Sequence, residues 1–122
     1  MQLLYEHSEE GDTPCLARVP GRVRRLVGSA SLPVPHMGWS RLSLTTNDPL
    51  FTGTDEGAYV YFVHGFAAEP GPTTIATATH GVPFAAALRH GHLWGTQFHP
   101  ERSGAVGARV LEGFLEATST CA

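Results

Sequence analysis

Tyr59-Val60-Tyr61-Phe62-Val63 sets five aromatic or β-branched residues in succession. Such side chains lose rotamer freedom in a helix and pack well on a pleated surface, so residues 58–67 read as a strand. The apolar character does not alternate, which is the pattern of a strand covered on both faces. A chain built around such a strand needs further layers to cover it, and that directs the reading to an α/β fold. With 122 residues and 42% apolar content there is material for one core, hence one domain or a large part of one.

The other segments supply candidate layers. Residues 1–10 read as a helix with Leu3, Leu4 and His7 on one face, stopped by Gly11, Asp12 and Pro14. No N-cap precedes it, so a preceding segment is expected. Residues 19–27 read as a short strand whose Arg22, Arg24 and Arg25 form a solvated edge. Residues 32–44 contain Pro33, Pro35 and Gly38 and read as a shaped loop entering a strand at residues 40–44. Asn47-Asp48-Pro49 marks a turn, residues 73–79 a strand, and residues 84–98 a hairpin about Gly91. From Ser103, a candidate cap, Val106, Val110, Leu111, Phe114 and Leu115 recur at helical spacing as one apolar stripe.

A net charge of -3 leaves no general footprint for nucleic acid. No apolar run reaches the eighteen or so residues of a membrane span, and no cleavable leader is evident. The expectation is a soluble, cytosolic protein. Two cysteines, Cys15 and Cys121, make no disulfide framework and suit a reducing compartment.

The densest chemistry lies in Gln97-Phe98-His99-Pro100-Glu101. Residues two apart on a strand share a face, so His99 and Glu101 can place a carboxylate behind an imidazole. A histidine that takes a proton from a nucleophile must be held in one tautomer, and a carboxylate on the far ring nitrogen does that. The alternative is a helix start, with Glu101 favouring the positive helix end and His99 merely exposed. Neither thiol stands on a tight glycine-flanked turn after a strand, where a nucleophile belongs. Cys15 follows a turn after a helix, and Cys121 lies at the chain's end.

Other candidates read more simply. His90 and His92 flank a turn glycine and lack a third zinc ligand, so no metal is expected. His64 reads as a satisfied core histidine. Met37 and Trp39 on their Pro-rich loop are either core closure or a partner-binding patch.

Pro35-His36-Met37-Gly38-Trp39, Tyr61-Phe62-Val63-His64 and residues 95–104 together resemble the glutaminase-subunit branch of imidazole glycerol phosphate synthases, within the class I glutamine amidotransferases. The resemblance runs nearly the whole length. It implies the C-terminal part of a mixed sheet flanked by helices, with residues 1–122 a single partial domain that lacks its leading strands. It places the nucleophilic cysteine a few residues before Met1, His99 as general base, Glu101 as its orienting carboxylate, and Gln2 in the glutamine pocket. It implies L-glutamine as substrate, ammonia delivered to a (β/α)₈-barrel cyclase subunit, and Met37, Trp39 and Phe66 facing that barrel. No cofactor is implied, because thiol-based amide hydrolysis needs none. Gly65-Phe66 stands where the branch commonly has Ser or Thr followed by Tyr, Arg102 where it has Lys, and Ser40 where it has Asn. Two other functions remain open: a non-catalytic cyclase-binding module, and a hydrolase that uses Cys15 with His99.

Overall fold

A computed structural model describes residues 1–119 and shows a mixed α/β fold. Residues 1–10 do not form the expected helix. A 3-10 turn, Gln2–Leu4, leads into strand β1, His7–Ser8. The carbonyls a helix would use internally go to a distant segment: Leu3 accepts from Leu16 N–H, Leu4 from Arg18 and Val19, and Tyr5 from Ala17. Tyr5 is 2% exposed and joins Val19, Val23 and Leu88 in one of two apolar clusters. Burying that ring contributes about 2 kcal/mol, more than the stretch's helix preference. Gly11, at φ +69°, makes the turn into β2, Thr13–Pro14.

The chain continues through β3 (Arg22–Arg25), β4 (His36–Arg41), β5 (Ser43–Leu44), β6 (Tyr59–His64), β7 (Phe66–Ala68), β8 (Thr74–His80), β9 (Val82–His90) and β10 (Leu93–Thr96), ending in helix α1 (Gly104–Ser119). Short 3-10 turns occupy Pro49–Phe51 and Pro100–Arg102. Two sheets run in the orders β2-β1-β3-β7 and β10-β9-β8-β5, and β4 with β6 forms a ribbon. β1 and β3 run parallel, and every other pairing is antiparallel. No helix among the described residues is long and apolar enough to cross a membrane.

Three expectations are corrected here. β3 is no edge, because it lies between β1 and β7; its arginines stay outside since Val23 alone points inward, with Arg24 paired to Glu69 at 2.7 Å. β4 starts at His36, inside the expected loop, because Gly38 at φ +123° keeps its place in the ladder opposite Phe62. β6 is covered on one face only: Val60, Phe62 and His64 are buried, while Tyr59, Tyr61 and Val63 face outward. Tyrosine tolerates that position, and Arg41 and Arg102 cover the Tyr59 and Tyr61 rings.

The larger core centres on Phe62, 0% exposed, with Phe84 and Phe98 edge-on at 5.4 and 6.1 Å. Ala76, Ala78, Ala86 and Ala87 pave the β8–β9 floor beneath it. α1 closes this core with only part of the expected stripe, Val110 and the half-buried Val106. Gly107, Val110, Gly113 and Ala117 are buried, whereas Leu111, Phe114 and Leu115 are 46, 39 and 65% exposed. A β-carbon on Gly107 would overlap the Pro100 carbonyl, and one on Gly113 the Leu50 carbonyl. The helix therefore packs backbone to backbone, and its glycines fix which side faces in.

Candidate active site

After β10 the backbone of residues 97–103 is fastened to two strands. Gln97 N–H reaches Ala86 O at 2.8 Å, and His99 N–H reaches Tyr61 O on β6 at 3.0 Å. Ser103 completes the clamp: its hydroxyl donates to His99 O at 2.6 Å and accepts from Tyr61 N–H at 3.0 Å. Ser103 is 1% exposed, and its hydroxyl serves this junction and not the expected cap of α1. With Pro100 opening the 3-10 turn, Glu101 swings back, and His99 Nδ1–H donates to Glu101 Oε1 at 2.9 Å. The pair forms across a turn, beyond the end of β10, so strand alternation is not what joins them. A ring whose Nδ1 carries the hydrogen presents its Nε2 lone pair, the state a general base requires.

His99 and Glu101 border an open cavity of about 570 Å³ whose other walls include Gln2, His64, Phe66 and Gln97. That volume suits a small metabolite. Gln2 Nε2 donates to Phe66 O and to Gln97 Oε1, both at 2.9 Å, which fixes the amide plane.

Residues 1–117 match the family model described as glutamine amidotransferase class-I. The chain belongs to that family. The imidazole glycerol phosphate synthase subunit HisH of Xylella fastidiosa (strain 9a5c) is 53% identical over 116 residues, which cover 95% of this chain and 58% of the relative. The subunit of the same name from Xanthomonas oryzae pv. oryzae (strain MAFF 311018) is 50% identical over the same shares. The chain thus spans 58% of the length of the curated relatives it matches.

Within this amidotransferase chain, four of the residues to which the resemblance gives a place, in the base, the pocket or, for Phe66, the partner face, line the cavity: Gln2, Phe66, His99 and Glu101. Cys15 does not line it; its Sγ lies 3.6 Å from Thr13 O just after β2. Cys121 lies outside the described residues. Met37 and Trp39 are 64 and 54% exposed on the outer face of β4, with Trp39 edge-on to Tyr61 at 5.9 Å. Phe66 is not with them: it stands on β7 in another sheet, with the Arg25 guanidinium 5.0 Å from its ring centre. His90 and His92 flank the β9–β10 turn. Among the described residues, no group of three or more His, Cys, Asp or Glu is arranged to hold a metal ion.

Sequence reasoning missed a buried histidine pair in the amidotransferase. His36 and His64 face each other across β4 and β6, with His36 Nδ1 2.9 Å from His64 Nε2. Burial, then the neighbouring His64 and His80 rings, hold the His36 pKa down at about 4. Burial also lowers that of His64, opposed by its hydrogen bond to Phe66 O and reinforced by His80 and His99. The available signal was the pair of segments 35–39 and 61–64, each carrying a histidine, but only strand register brings them together.

Proposed function

We propose that this chain carries the base-bearing half of a glutaminase site in the amidotransferase subunit of an imidazole glycerol phosphate synthase, a histidine-biosynthetic enzyme. The His99–Glu101 contact of 2.9 Å at the border of a metabolite-sized cavity carries the reading. In it, His99 Nε2 takes the proton of a cysteine thiol as sulfur attacks the side-chain amide carbon of L-glutamine. His99 then returns that proton to the departing ammonia, and the thioester is hydrolysed to glutamate. Glu101 keeps the imidazole in its working tautomer and stabilises the imidazolium between the two transfers. Gln2 lies across the cavity as a substrate-holding amide.

The cysteine is assigned to the part of the relatives' length that this chain does not span. The position of Cys15, outside the cavity lining, favours that source over the Cys15 hydrolase. Residues 1–122 then act as part of one amidotransferase domain, in the cytoplasm where biosynthetic enzymes of this kind work. The exposed Met37 and Trp39, flanked by Tyr59, Tyr61, Arg41 and Arg102, have the aromatic and arginine-rich make-up of an interface centre and are assigned to the cyclase barrel that receives the ammonia. Phe66 is assigned to the cavity wall.

The test is a chimera that joins the leading segment of the Xylella fastidiosa relative to this chain, assayed for glutamate release with cyclase present. His99→Ala is expected to lower kcat at least about 10³-fold and Glu101→Gln about 10²-fold or more. Turnover that survives His99→Ala, or turnover by the 122-residue chain that Cys15→Ala abolishes, overturns the reading.

A further inference from the structure

The hydrogen bonds around the buried histidines have only one self-consistent sense. The Phe66 carbonyl, 2.8 Å from His64 Nδ1, can only accept, so that nitrogen carries the hydrogen. His64 Nε2 is then the acceptor of the uncharged ring, and His36 Nδ1–H donates to it across 2.9 Å. His36 Nε2 in turn accepts from the Ser40 hydroxyl at 2.9 Å. The direction runs unbroken from Ser40 on β4 to the Phe66 carbonyl at the cavity. That carbonyl also receives one hydrogen of the Gln2 amide, and Gln97 Oε1 receives the other. With both Nε2 hydrogens engaged, Gln2 presents Oε1 as an acceptor for a ligand N–H group.

We propose that His64, oriented by His36 and Ser40, is a positioning residue for the ligand: it fixes the Phe66 carbonyl and thereby the plane and the sense of the Gln2 amide. The relay is well insulated, since His36 and His64 are 5 and 7% exposed and Phe62 and Phe84 wall the rings. It does not touch the reacting atoms. Its effect falls on binding, through an amide that would otherwise flip between donor and acceptor ends. The identity of the ligand as L-glutamine rests on the function proposed above; the relay rests on the hydrogen bonds alone.

The experiment uses the ¹⁵N-labelled 122-residue chain, its folding checked by spectral dispersion, in three forms: wild type, His64→Phe and His64→Asn. Long-range imidazole correlations are expected to show both His36 and His64 as Nδ1–H tautomers at pH 7. Loss of the donor in His64→Phe should shift the Gln2 side-chain amide signals and speed their exchange about tenfold, a hydrogen bond's worth. His64→Asn, whose amide N–H replaces the ring donor, should keep exchange within about threefold of wild type. L-Glutamine titration of the same three forms in the chimera described above should follow the same order, with affinity about tenfold weaker in His64→Phe. As a measurement without substitution, the Gln2 signals of the wild type should move on acidification with the midpoint of the His64 ring.

An Nε2–H tautomer at either histidine, Gln2 signals unmoved in His64→Phe, or Gln2 titrating apart from His64 overturns the relay. Equal glutamine affinity in all three proteins also overturns it, while leaving the glutamine site standing. The expected Gln2 responses without any binding of L-glutamine sustain the relay and remove glutamine as its ligand.

Discussion

Acid should destabilise this fold through His36 in a calculable way. An imidazole in the unfolded chain titrates near 6.5, whereas in the folded chain burial and two neighbouring histidines hold it at about 4. Between those values the unfolded state binds the extra proton, so stability is fully present above pH 6.5 and is lost as pH falls towards 4. The full loss is about 3 kcal/mol, of which about 2 falls between pH 7 and pH 5. With 5% of the residue exposed, solvent screening removes little of this. The charged groups that face His36 are themselves histidines, His64 on β6 and His80 on β8, the latter stacked at 4.3 Å, so no carboxylate compensates. For a chain of 122 residues, a loss of about 2 kcal/mol lowers Tm by about 7 °C. The assay is urea unfolding at pH 7 and pH 5, comparing wild type with His36→Gln, whose amide stays neutral and can still bond Ser40 and His64. His64 titrates in both proteins, so the difference isolates His36. Wild type should lose about 2 kcal/mol more than the variant; equal losses would refute the reasoning.

Gly107→Ala should cost about 3 kcal/mol in urea unfolding, because its methyl overlaps the Pro100 carbonyl and neither backbone can yield without lifting α1. Asp48→Ala should cost about 3 kcal/mol by the same measurement, since one buried carboxylate accepts from Leu50 N–H and Trp94 Nε1–H and pairs with Arg89 at 3.2 Å. Ala17→Gly should be stabilising by about 1 kcal/mol, because Ala17 sits at φ +53°. In the chimera, Ser103→Ala should lower kcat about tenfold with KM little changed, since it frees the His99 backbone while leaving Gln2 in place.

The parts of the fold that were legible in the sequence are those governed by local chemistry. The aromatic run of β6, the threonine alternation of β8 and the Gly91 turn each fix their own backbone, and the structure places strands or a turn at all three. The misread elements depend on distant partners. Residues 1–10 have helix-forming composition, yet their carbonyls bond to residues 16–19 and Tyr5 sinks into a core that local spacing cannot reveal. The buried face of α1 follows its glycines, because close approach to the Pro100 and Leu50 carbonyls outweighs the leucine stripe. In the site, His99 and Glu101 were legible because they stand two positions apart, with Pro100 alone between them. The His36–His64 pair was not, because the two stand 28 positions apart and ladder register alone closes the gap.

β6 explains why the proposed base, His99, and the Gln2 amide can keep a constant separation. Tyr61 on that strand ties the His99 backbone directly through its carbonyl and, from its N–H, by way of the Ser103 hydroxyl, and His64 on the same strand fixes the Phe66 carbonyl that holds Gln2. A register slip of one residue against β4 would turn Val60, Phe62 and His64 outward and bring Tyr59, Tyr61 and Val63 into the core. Core packing around Phe62 opposes that slip, since removing such a ring from a core costs about 3–5 kcal/mol. The hydrophobic pattern of β6 therefore holds the site's geometry together. Its outward tyrosines, beside Trp39, join the same rigid strand to the patch assigned to the partner.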